Sequence, residues 1–93
     1  MGIEYRVIFK HKDVGQIDTF LRALPYFADF DNEWKSYNFR EENNVGKMPD
    51  AEIRIEVEGV YLCDYGMSRY LFGLIVTELV SRFGRVQIED YEL

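Results

Sequence analysis

The sequence predicts an α+β fold with the element order β-α-β-β-α-β: a four-stranded antiparallel sheet with two helices on one face. Three observations predict it. Two short segments alternate apolar and polar residues with period two, as half-buried strands do. Two longer stretches, one after each, repeat apolar residues at helical spacing. No linker, internal repeat or low-complexity segment divides the chain, and 93 residues suit a single domain spanning 1–93.

The first strand covers residues 3–11. Ile3, Tyr5, Val7 and Phe9 fall on one face, and Glu4, Arg6 and Lys10 on the other, with Ile8 interrupting the polar side. Asp13 followed by Gln16 has the spacing of a capping box. Val14, Ile17, Phe20, Leu21 and Leu24 then recur as one helical stripe. Pro25 cannot donate a backbone hydrogen bond, so the helix should stop near Leu24. Tyr26 to Phe30 is aromatic but irregular, and is expected to cover one end of the core.

Trp34 to Arg40 reads as the second strand, with Tyr37 and Phe39 facing in. Glu41 to Asp50 holds Asn43-Asn44, Gly46 and Pro49-Asp50 and reads as a loop. Ile53, Ile55 and Val57 alternate with Glu52, Arg54, Glu56 and Glu58 in the third strand. Gly59 either bulges this strand or turns it into a hairpin with Val60-Tyr61-Leu62; the bulge is the expectation. Ser68 is the expected N-cap of the second helix. Leu71, Leu74, Ile75, Leu79 and Phe83 form its inner stripe, and Gly84 is its terminator. Val86 and Ile88 alternate with Arg85, Gln87 and Glu89 in a last strand.

This order resembles the ferredoxin-like, split β-α-β arrangement. The resemblance is one of fold pattern, and that pattern hosts unrelated functions. It implies that the first and third strands lie side by side and parallel, and that both helices start at one edge. One face is then left without a helix. Trp34 and Ile8 would be apolar anchors on it, among Arg40, Arg54, Glu56 and Glu58, in a docking surface. The plainer alternative is a solvated face laced with weak ion pairs.

Composition narrows the partners. The formal charge is −6. Nucleic acid is held mainly by Lys and Arg on phosphates, so this balance and the lack of a basic run exclude a general nucleic-acid binder. No apolar run approaches the ~20 residues of a membrane span. The N-terminal residues carry charges where a signal peptide needs an apolar stretch, and one cysteine allows no internal disulfide. A cytoplasmic protein without membrane contact is expected. Seven Tyr, seven Phe and one Trp are many rings for this length. Some should remain on the surface, where rings favour protein contacts.

Chemistry-bearing motifs are scarce. There is no paired-cysteine metal spacing, no His-Glu-x-x-His and no Gly-rich phosphate loop after a strand, so no cofactor or metal is implied. Acidic clusters occur at Asp29-Asp31-Glu33, Glu41-Glu42, Glu56-Glu58 and Glu89-Asp90-Glu92, without the calcium-loop spacing. One constellation remains. If Gly59 only bulges the third strand, Cys63, Asp64 and Tyr65 end it beside His11 at the end of the first. A Cys–His pair near helix N-termini favours a reactive thiolate; the alternative is a small buried cysteine and a surface histidine. In the second helix, Gly73, Thr77 and Ser81 form a small-residue stripe, covered either by the first helix and the aromatic segment or by a second subunit.

The leading expectation is a small acidic non-enzymatic protein-binding module. In charge and size the chain resembles bacterial immunity proteins, which implies a basic protein partner to be neutralised. The alternative is a small-ligand-binding or catalytic homodimer with its site at the His11/Asp64/Tyr65 edge.

Overall fold

The computed structural model describes residues 2–66 and 70–91. It contains six strands and two helices in the order β1 (Ile3–Phe9), α1 (Val14–Ala23), β2 (Phe27–Asp31), β3 (Ser36–Phe39), β4 (Ala51–Glu56), β5 (Gly59–Asp64), α2 (Tyr70–Phe83) and β6 (Val86–Asp90). The strands form one sheet in the order β2-β3-β4-β5-β1-β6, and every neighbouring pair is antiparallel. The α+β class stands. The four-stranded ferredoxin-like arrangement does not.

Two local features account for the extra strands. Tyr26 to Phe30 is not irregular cover: Phe27–Asp31 is an edge strand. Its register slips between Phe27 and Asp29. Ala28 is the extra residue, so Phe27 and Phe30 both face the core at a spacing of three, and period-two alternation is lost. The second feature is Gly59. Glu56 pairs with Gly59 across the two-residue turn Val57-Glu58, making a hairpin rather than a bulge. A Cβ at Gly59 would collide with the Val7 carbonyl oxygen of the neighbouring strand. Glycine is required there by close backbone approach as much as by its positive φ of 158°.

The hairpin reverses the chain, and the geometry of the two ends follows. β5 runs antiparallel to β1, with Ile3 opposite Asp64 and Ile8 opposite Gly59. The expected parallel pair is absent, and the two helices start at opposite ends of the sheet. α1 starts where β1 finishes. It is capped as the sequence predicts: Asp13 Oδ1 accepts the Gln16 N–H at 2.9 Å, and Gln16 Oε1 accepts the Lys12 N–H at 2.9 Å. Ser68, the expected cap of α2, lies outside the described residues. Gly84, with φ 87°, ends α2 in the left-handed conformation that favours glycine.

Both helices cover one face. The core gathers Val7 and Phe9 from β1, Tyr37 and Phe39 from β3, Ile53 from β4, and Val60 and Leu62 from β5. Ile17 and Leu21 of α1 and Leu71, Ile75 and Leu79 of α2 close over them. Aromatic pairs bind helix to sheet: Tyr5–Phe72 at 4.8 Å and Phe9–Phe83 at 4.6 Å between ring centroids. On the α1 side, Tyr37 donates its hydroxyl to Asp18 at 2.5 Å, and Arg22 pairs with the same carboxylate at 3.0 Å. The Tyr37 hydrogen bond and then the arginine hold Asp18 below the ordinary carboxylate range, while burial and Asp18 push the Tyr37 phenol up. The stripe Gly73, Thr77, Ser81 is exposed, and neither the aromatic segment nor α1 covers it. Among the described residues no helix is long and apolar enough to cross a membrane.

Candidate functional site on the helix-free face

Residues directly opposite in adjacent strands share a face, so the register lists the helix-free surface. One row across the sheet is Asn38, Glu52, Cys63 and Glu4. The next is Ser36, Arg54, Tyr61, Arg6 and Glu89. A third is Glu56, Gly59, Ile8 and Gln87. No helix packs on these rows, yet β5 is buried on both faces along its whole length. Side chains from the neighbouring strands and from Tyr91, just past β6, cover it.

The tyrosines organise this layer. Tyr61 donates its hydroxyl to Glu4 at 2.7 Å, Tyr65 to Glu52 at 3.0 Å, and Tyr91 to Glu56 at 2.7 Å. The Tyr61 and Tyr91 rings meet edge to face, with centroids 5.0 Å apart. Arg54 sits over the Tyr61 ring at 5.1 Å and pairs with Glu52 at 2.7 Å. Arg6 sits over the Tyr91 ring at 4.9 Å and reaches Glu89 at 3.7 Å. Each carboxylate is stabilised by a phenol or guanidinium, and each arginine lies on a ring, where a cation is attracted by the π face. Burial, followed by the bond to Glu4, pushes the Tyr61 phenol well above its ordinary range; burial, then Cys63 and Glu52, do the same for Tyr65. The Tyr91 phenol is raised chiefly by its bond to Glu56.

The six residues expected to form a docking surface divide. Arg54 and Glu56 belong to this lattice. Ile8 lies at its margin beside Gly59. Glu58 is in the β4–β5 turn, where its carbonyl accepts the Phe9 N–H at 3.1 Å. Trp34 is in the β2–β3 turn rather than in a strand, and is 62% exposed. Asp31 Oδ1 accepts the Glu33 and Trp34 N–H groups there, which fixes that turn. Arg40 points into the following loop and donates to the carbonyls of Gly46, Lys47 and Met48, so it ties down the chain between β3 and β4.

The second expected site is not assembled. His11 follows the end of β1, whereas Asp64 pairs with Ile3 at its start. Eight residues of extended chain, roughly 25 Å at the usual strand rise, separate the two levels. Cys63 is buried on the helix-free face, packed beneath Gly2 and Tyr65, so that a Cβ at Gly2 would collide with its Sγ. Asp64 is buried at the other end of the core and accepts the Gly66 N–H at 3.0 Å. Antiparallel pairing, not parallel, is the physical reason that the histidine and the thiol are kept apart.

Sequence reasoning missed Tyr61 and Tyr91, and placed Tyr65 beside His11 rather than on Glu52. Tyr61 and Cys63 alternate with Val60 and Leu62, and that alternation marks β5 as a strand once Gly59 is taken as a turn. Among the described residues, no group of three or more His, Cys, Asp or Glu side chains is placed to hold a metal ion. No protein-family model matches the chain, and no curated protein or solved structure shows significant similarity to it.

Proposed function

We propose that this chain is a small protein-binding module that docks a basic protein partner on its helix-free sheet face, in the manner of an immunity or inhibitor protein. The observation that carries the reading is the charge of an ordered, uncovered face. Glu4, Glu52, Glu56 and Glu89 stand there against Arg6 and Arg54, and tyrosine hydroxyls fix Glu4, Glu52 and Glu56 in place. A partner binding such a surface does not have to order it, which reduces the entropic cost of association. Its excess negative charge would steer a basic partner and fix its orientation. The chain's net charge of −6 acts in the same direction.

Glu89 is the residue to test, because it is on the face and no tyrosine among the described residues holds it: the Gln87 side-chain amide donates to it at 2.5 Å and Arg6 reaches it at 3.7 Å. Immobilised protein should capture a basic protein from host extract at low salt. Glu89→Lys should weaken that capture by roughly tenfold, equivalent to about 1.4 kcal/mol. Glu33→Lys, in the β2–β3 turn, should leave it unchanged. A captured protein that binds both variants as it binds the parent, or no capture at any salt concentration, would defeat the proposal.

A further inference from the structure

We infer that the hollow at the C-terminal end of β1 is a binding site for a small organic anion with an apolar body, of the aromatic carboxylate class. The hollow forms where three connections part. Beyond Phe9 the chain leaves the sheet towards α1. On one side stands the Val57-Glu58 turn, and on the other the α2–β6 turn. The space between them is about 720 Å³, within the size range of small-molecule sites.

Its walls combine two kinds of group. Ile8, Phe9, Val57 and Phe83 supply an apolar floor. The Phe9 and Phe83 rings lie 4.6 Å apart, and the His11 ring meets Phe9 edge-on at 5.8 Å. A planar apolar ligand would meet this contiguous aromatic cluster. The rim carries Lys10, His11 and Arg85 against one carboxylate, Glu58. That balance is the reverse of the chain as a whole, which has 17 acids and 11 bases. Neither Lys10 nor Arg85 is in an ion pair among the described residues. Four arginines elsewhere are committed, Arg6, Arg22 and Arg54 to carboxylates and Arg40 to carbonyls, whereas among the described residues Arg82 near the end of α2 is not. Two uncommitted cations therefore flank this hollow.

The His11 ring is oriented by the chain: its Nδ1 lies 3.3 Å from the Phe9 carbonyl oxygen. The tautomer that donates there leaves Nε2 an acceptor, so the ring offers its aromatic surface rather than a hydrogen bond to a carboxylate. At the nearby start of α1 the Gln16 N–H is already taken by Asp13. An aromatic carboxylate meets both demands: its ring fits the floor, and its charge pairs with Lys10 and Arg85. Inorganic phosphate lacks the apolar body, and an aromatic amine has the wrong charge.

The test is an amide-resolved NMR titration of the full chain with benzoate, with benzylamine and inorganic phosphate as controls. Benzoate should give saturable shifts confined to residues 8–11, 57–58 and 83–87, and neither control should do so. Lys10→Gln and Arg85→Gln, both at exposed positions, should each weaken benzoate binding several-fold while the dispersed spectrum is kept. The double variant should weaken it by roughly tenfold or more. If either single variant loses dispersion, the charge-retaining Arg85→Lys and Lys10→Arg replace it and should retain binding. The inference fails if benzoate gives no saturable shifts, if benzylamine or phosphate gives the same ones, or if the double variant binds as the parent does. None of these residues enters the Glu89 test, so the two proposals fail separately.

Discussion

Leu62 and Tyr61 are neighbours in β5, and both are buried, but different physics buries them. Leu62 faces the helices. Its surroundings are apolar side chains from three strands and two helices, and its stability comes from area removed from water. Tyr61 faces away from the helices. It is buried 8% exposed under Tyr91 and between two arginines, and its hydroxyl is satisfied by Glu4. The helix-side layer tolerates no polar group without a specific partner, as the Tyr37–Asp18 bond shows. The other layer is built from such bonds and remains half open to water. One sheet thus has a face made by packing and a face made by pairing, and only the second offers charge to a partner.

Mutations at the two residues should separate these contributions. The largest effect is expected at Leu62→Ala, which removes buried methyl groups from a closed core and should cost about 2–5 kcal/mol. The denaturant midpoint measures it. A cost below about 1 kcal/mol would mean that this face does not behave as a close-packed core.

Tyr61→Phe keeps the ring and removes only the hydrogen bond. It should cost about 1–2 kcal/mol, because water can reach the half-exposed Glu4 that loses its donor. The same contrast has a pH signature. Tyr37, Tyr61 and Tyr65 are all raised in the folded protein, while unfolded phenols ionise near pH ~10. Their contribution is therefore complete below pH ~10 and is lost as the pH climbs beyond it, since only the unfolded chain can then release those protons. Stability against urea, followed from neutral to alkaline pH with tyrosinate absorbance, should fall above that point. The fall should be shallower in Tyr61→Phe. Stability that increases through pH ~10 would contradict the assignment of these phenols as neutral donors.

The smallest effect is expected at Arg6→Ala. Its partner Glu89 is at 3.7 Å and both side chains are more than a third exposed. Exposed pairs contribute about 0–1 kcal/mol, and the stacking on Tyr91 adds a comparable amount at most. A change below about 1 kcal/mol in thermal or urea stability would place Arg6 at the rim of the lattice; a larger one would make it a structural member alongside Tyr61.

Much of the local structure was legible. The Asp13–Gln16 cap, the Gly84 terminator and the alternation in residues 3–11 and 52–58 each depend on neighbours within a few residues. The cap and terminator are found, and the two strands are found but end earlier, at Phe9 and Glu56, with Val57 exposed in the turn instead of facing the core. β2 was not legible, because the extra residue Ala28 erases the period by which a strand is recognised. The docking residues were partly legible. Arg54 and Glu56 lie on the face that alternation assigned to them, whereas Trp34 and Arg40 sit at the ends of β3, where a turn and a loop redirect them. The His11 and Cys63 constellation rested on strand direction, which no local pattern carries.

The sequence by itself determined most of the apolar positions on the strands and helices, where α1 starts and where both helices stop, and that the chain is acidic and rich in rings. Those properties are local, set by side-chain chemistry and backbone sterics over one or two turns. Only the tertiary structure decided the rest: that Gly59 turns the chain back, that β5 therefore runs against β1, and that Tyr61, Tyr65 and Tyr91 meet three glutamates from distant segments. Pairing direction and cross-strand partners depend on contacts between residues as far apart as Glu4 and Tyr61, and such contacts exist only after the sheet has closed.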